Sequence, residues 1–122
     1  MHELSLAQSM VETVEATLRS QGIGVGEAKP PRILALKLLI GALAGVHEES
    51  LSFCYELATA GTLLEGSKLV VVQLPIIAWC PGCQAEIELP SLQNFHCPTC
   101  ASALSDIRQG RELEIDSVEV ED

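Results

Sequence analysis

Seven residues stand out for the chemistry that they could do, four of them cysteines in two tight pairs. The stretch WCPGCQAEIELPSLQNFHCPTC holds Cys80, Cys83, Cys97 and Cys100, two CxxC pairs with 13 residues between them. Such pairs fold as knuckles that close a tetrahedral all-sulfur site around a metal ion. The segment is too poor in apolar side chains to fold by burial alone, and structural zinc supplies on the order of 10 kcal/mol in small domains. Four thiolates leave no open coordination position, so an ion held there shapes the chain and does not catalyse. Rubredoxin-like iron uses the same donors. With only Trp79 and Phe95 as nearby aromatic shielding, zinc is the better fit. A dithiol redox role would need one CxxC at a helix start in a thioredoxin-like context, which is missing. The residues after the knuckles, Gln84 and Ala101, stand where a left-handed backbone is often preferred. The strain there is about 1–2 kcal/mol each.

The other three are Met1, His2 and Glu3, which open the chain. A large second residue argues that the methionine is retained. The amine, the His2 backbone nitrogen and the His2 imidazole then stand in series, able to close a five-membered and then a six-membered chelate ring. Planar four-coordinate N/O sites suit Ni(II) or Cu(II). Glu3 can add a fourth ligand through its carboxylate or its backbone nitrogen. Cys54 stands apart from both sets, whereas His96, beside the cysteines, could compete as a ligand there, and His47 or His96 could complete the amino-terminal set. Cys54 falls on an apolar helix stripe and is expected to be a buried, inert thiol. The two histidines read as exposed loop residues.

The elements that must position these groups follow from spacing. Leu4, Ala7, Met10, Val11, Val14 and Leu18 recur at three and four, predicting a helix over 4–20 that ends at Gly22, with Ser5 and Gln8 as a capping pair. IGVGEAKPPR (23–32) reads as a linker. RILALKLLIG predicts a strand with Leu34, Leu36, Leu38 and Ile40 on its buried face. HEESLSFCYELATAG (47–61) predicts a second helix, acidic in its first turn and striped by Leu51, Cys54, Leu57 and Ala58. KLVVVQLPI (68–76) is β-branched and closed by Pro75, and ELEIDSVEV (112–120) alternates with a phase slip near Asp116–Ser117. The fold class is therefore α/β (α+β), two helices on a three-stranded sheet. A zinc-ribbon-like, four-cysteine subdomain at 77–110 interrupts a domain formed by 1–76 plus 111–122.

Composition narrows the function. The 122 residues carry 17 acidic against 7 basic side chains, a net charge of −10. Nucleic acid would be repelled, and basic protein partners or cations are favoured. The longest apolar run, ILALKLLIGALAGV, has 14 residues, contains Lys37 and is too short to cross a bilayer. With no basic-then-apolar leader, the chain is expected in the cytoplasm, where five cysteines point to metal before disulfides. No HExxH motif accompanies the thiolates, which argues against a metallohydrolase.

MHELSLAQS at the start, IGALAGV (40–46), GTLLEG (61–66), the paired CPGC and CPTC, and GRELEI (110–115) together resemble the HypA family of hydrogenase and urease nickel-incorporation proteins. The similarity runs the whole length in the same order. KPPRILALKLL departs from the more polar, valine-rich strand of that family. The resemblance implies transported Ni²⁺ held on Met1, His2 and Glu3, and structural Zn²⁺ on Cys80, Cys83, Cys97 and Cys100. It also implies metal delivery during maturation of a [NiFe] hydrogenase or of urease, with the GTPase HypB and the hydrogenase large-subunit precursor as partners. Such a protein is a carrier and not an enzyme, expected as a monomer or weak dimer. The competing reading is a zinc-ribbon protein-interaction adaptor with no nickel role.

Overall fold

The computed structural model describes residues 2–22 and 32–121. Met1, nearly all of the expected linker and the final residue lie outside these. In chain order the elements are α1 (Glu3–Ser20), β1 (Ile33–Gly41), α2 (Glu48–Thr59), β2 (Lys68–Leu74), β3 (Ile77–Cys80), β4 (Ala85–Glu88), β5 (Asp106–Gln109) and β6 (Leu113–Val120). They form two three-stranded sheets, ordered β2-β1-β6 and β4-β3-β5, in an α+β fold. The order helix, strand, helix, strand, cysteine segment, strand is the one expected. The second sheet is an addition to it. Its strands have four residues each, too short for alternation to register.

Two compact units divide the chain, one of Met1–Leu38, Val46–Val71 and Ile115–Asp122, the other of Leu39–Gly45 and Val72–Glu114. In the first, α1 buries Ala7, Met10, Val11, Val14 and Leu18, the spacing that made it a helix. Leu4, expected on that stripe, is 40% exposed. The helix begins at Glu3 with His2 as N-cap and no side-chain cap bond. A capping side chain must sit on the non-helical residue before the helix, so Ser5, already helical, cannot pair with Gln8 as a cap. At the other end Gly22 takes φ +78°, and its N–H bonds to the Arg19 carbonyl at 3.0 Å. That left-handed step ends the helix.

Helix α2 is turned relative to expectation. Leu51, Tyr55 and Thr59 are buried, while Leu57 is 56% exposed. The sequence favoured Leu57 for its side chain alone. Tyr55 and Thr59 take the inside because their polar atoms are satisfied there. The Tyr55 hydroxyl lies 2.6 Å from Ser67 Oγ, and Thr59 Oγ1 donates to the Tyr55 carbonyl at 2.8 Å. In β1, Leu36, Leu38 and Ile40 are buried as expected and Lys37 faces out, 3.8 Å from Asp116. Leu34, at 37% exposure, is not part of that face. Ile33 is buried in its place, at 1%.

The second unit is built on Ile76, Ala78, Cys80, Leu89, Cys97 and Leu104. β3 pairs antiparallel with β4 (Cys80 opposite Ala85) and with β5 (Trp79 opposite Asp106). Alternation then puts Ala78 and Cys80 on the core side and Trp79 on the other, where the Arg108 guanidinium lies 5.3 Å from its ring. The strand ends meet closely at Gly41. Its N–H bonds to the Glu112 carbonyl at 2.8 Å, and a Cβ there would collide with the Gly110 backbone. Only glycine fits.

Candidate metal sites

The four cysteines come together in the second unit. Cys80 ends β3, and the Pro81–Gly82 turn returns Cys83 so that its N–H points at Cys80 Sγ, 3.4 Å away. Cys97 and Cys100 form a matching turn. The Ala101 N–H bonds to the Cys97 carbonyl, and the Cys97 N–H to the Ser102 carbonyl, both at 2.8 Å. Gln84 (φ 50°) and Ala101 (φ 62°) are left-handed, at the two positions that the spacing had marked. Gly82 faces the sulfurs so closely that a Cβ would lie 3.0 Å from Cys100 Sγ.

The sulfurs themselves are arranged for an ion. Cys80 and Cys100 are 3.4 Å apart, Cys83 and Cys97 are 3.8 Å apart, and all four lie within 4.8 Å of one another. A tetrahedron with metal–sulfur bonds of about 2.3 Å has edges of about 3.8 Å. The spacing far exceeds a disulfide bond, and all five cysteines are free thiols. Charge points the same way. The Ser102 hydroxyl, then its backbone N–H, pull Cys100 down to about 6. Cys100, followed by Cys97, pushes Cys83 up to about 12. The Cys100 backbone N–H lowers Cys97. Sulfurs this close cannot all be thiolates at neutral pH without a cation among them. The residues fit a metal. His96 is exposed and bonded to Asn94, with its ring Nδ1 3.2 Å from the Asn94 side-chain oxygen. It stands outside the sulfur set.

The start of α1 lies in the first unit. His2 is the N-cap, with its side chain 57% exposed and its Nε2 3.6 Å from Glu3 Oε2. Glu3 is buried, and the same oxygen accepts the His47 backbone N–H at 3.3 Å. The terminal ammonium first, and then that N–H, hold the Glu3 carboxyl down to about 2. The Met1 amine, the remaining expected ligand, lies outside the described residues.

His47 is more than the loop residue that its sequence suggests. It caps α2, its Nδ1 accepting the Ser50 N–H at 3.2 Å. That bond leaves the neutral ring's proton on Nε2. A histidine N-cap is uncommon, and the local signal for it was Ser50 three residues on. Glu3, Leu4, His47, Phe53 and Cys54 line an open groove of about 560 Å³. Cys54 is accordingly a half-buried wall residue, not the fully buried thiol expected. Among the described residues, no helix is long and apolar enough to cross a membrane.

The α+β fold with its four clustered cysteines is shared with solved structures. The solution structure of the Ni metallochaperone HypA from Helicobacter pylori superposes with a TM-score of 0.64 over 98% of this chain and 97% of that one, at 21% identity. That likeness concerns the fold. In sequence, the chain is 40% identical over 119 residues to a hydrogenase maturation factor HypA of Chloroflexus aurantiacus, covering 98% of each protein. It is 35% identical over 119 residues, 98% of this chain and 94% of the relative, to the guanidine hydrolase-activating protein A of a Synechocystis strain. Residues 1–120 match the family described as hydrogenase/urease nickel incorporation, metallochaperone, hypA. The chain belongs to the HypA family, and its role is that of a nickel metallochaperone in hydrogenase maturation.

Proposed function

We propose that this metallochaperone holds Ni(II) at its amino end, on the Met1 amine, His2 and Glu3, and passes it on by ligand exchange. The observation that carries the reading is the exposed His2 imidazole 3.6 Å from the Glu3 carboxylate at the first turn of α1. Two features of helix chemistry support it. The first amides of a helix have no carbonyl of their own helix to bond, so the backbone nitrogens of His2 and Glu3 can serve as donors without breaking the ladder. Glu3 Oε2 accepts the His47 backbone N–H, and Glu3 supplies the fourth ligand through its carboxylate or its backbone nitrogen. The ion would be bound at an edge where a partner can replace its ligands singly. Affinity of the micromolar order, about −8 kcal/mol, suits such a hand-over.

The sulfur site takes zinc in this account, on Cys80, Cys83, Cys97 and Cys100, and is structural. Residues 1–76 plus 111–122 form the nickel-binding domain and 77–110 the zinc-binding one. The protein transfers an ion and catalyses no reaction. Its partners are the GTPase HypB and a hydrogenase large-subunit precursor, in the cytoplasm. The relative named for guanidine hydrolase makes that enzyme a further candidate client. His2→Ala is the direct test. Elemental analysis should find zinc content and fold unchanged and nickel binding abolished. Undiminished nickel in that variant would refute the assignment and leave a zinc-stapled adaptor.

A further inference from the structure

The exposed face of α2 carries two large apolar side chains among its glutamates. Phe53 is 63% exposed and Leu57 56%. One turn apart, they share a face with Glu49, one turn before Phe53. Neither is needed inside, since Leu51, Tyr55 and Thr59 already fill the buried face. Leu4, 40% exposed on α1, lines the same groove as Phe53, and Glu3 is part of its wall. An exposed apolar patch continuous with a groove marks an interaction surface.

Charge says what covers it. From residue 38 to residue 67 the chain has no Lys or Arg, and α2 itself carries Glu48, Glu49 and Glu56. A second copy would bring acid against acid on molecules already at −10, and a nucleic acid would fare no better. We propose that Leu4, Phe53 and Leu57 form the docking face for a protein partner whose apolar segment is flanked by Lys and Arg. An amphipathic helix is the form that a groove beside a helix takes most readily. A segment seated there lies against Glu3, beside His2. Its part in metal transfer rests on the nickel site proposed above, whereas the docking itself does not.

The test uses the full, zinc-loaded chain and a dye-labelled synthetic helix with a leucine face bordered by Lys and Arg. Fluorescence anisotropy should show binding that weakens with salt. Phe53→Ser combined with Leu57→Ser should weaken it by at least about 10-fold, as loss of anchor residues does. Amide shifts in the wild-type protein should concentrate at residues 3–4 and 47–57, which covers the case of a variant that folds poorly. A peptide bordered by Glu should not bind. Nickel uptake by the double variant should equal that of the wild type, which separates failure of docking from failure of the metal site. No binding of the basic peptide, equal binding to the double variant, equal binding of the acidic peptide, or shifts elsewhere would overturn the proposal. So would sedimentation showing that the patch instead pairs two copies of this chain.

Discussion

The cysteine cluster and the amino end, the two proposed metal sites, present their donors in opposite ways. In the first, backbone turns set the donors. Each knuckle is fixed by N–H bonds and a left-handed residue, and two of the four sulfurs belong to the core. In the second, the exposed donor hangs at a helix cap, and one buried carboxylate ties that end to the start of α2. A site with two of its four donors in the core is tied to the packing around it more firmly than one at an exposed helix cap. On the proposed function, this difference in packing separates an ion that stays from an ion that moves.

Breaking the closed site should have the largest effect. Cys97→Ser removes a thiolate from the core of the second unit. Zinc content should fall away, with a loss on the order of 10 kcal/mol of metal-linked folding energy. The amides of residues 77–109 should lose their dispersion, while nickel uptake persists because its donors are local. Full zinc occupancy in that variant would show that the four sulfurs do not act as one set. Gly82→Ala is milder. Its Cβ would press on Cys100 Sγ at 3.0 Å and Ser102 Oγ at 3.1 Å. Crowding of this kind costs about 1–3 kcal/mol, visible as weaker zinc in a chelator competition. Unchanged competition would mean that the turn yields more easily than its geometry implies.

The smallest effect sharpens the other side of the comparison. Glu3 ionises at about 2 where a glutamate ordinarily does so at 4.5. Because the folded value lies below the unfolded one, its contribution is complete above about pH 4.5 and lost as the pH falls toward 2. A carboxyl carbon titration should find Glu3 still ionised at a pH where the exposed glutamates are protonated. A midpoint near 4.5 would mean that its ties to the terminal ammonium and to His47 are weak in solution.

Much of this was legible in the residues, for local reasons. The helices announced themselves by apolar spacing, and the CxxC pairs by their interval. Gln84 and Ala101 were marked by their place after a knuckle, where the turn demands a left-handed step whatever the side chain. What escaped was decided at long range. Nothing near Glu3 shows that its carboxylate will meet a backbone N–H 44 residues away. Tyr55 was passed over because its burial depends on Ser67, 12 residues on. Leu4 and Leu57 fit a stripe by type and spacing, yet both face outward, since which side of a helix is covered is settled by its neighbours. The four-cysteine site needed little context and the amino end a great deal, which mirrors their physical difference.

The most direct test is a nickel titration of untagged, zinc-saturated protein at neutral pH, beside a version with a few residues added before Met1. The account predicts one further equivalent of nickel on the native chain, and markedly weaker uptake on the extended one, whose amine is displaced from His2. No uptake by the native protein, or equal uptake by both, would contradict it.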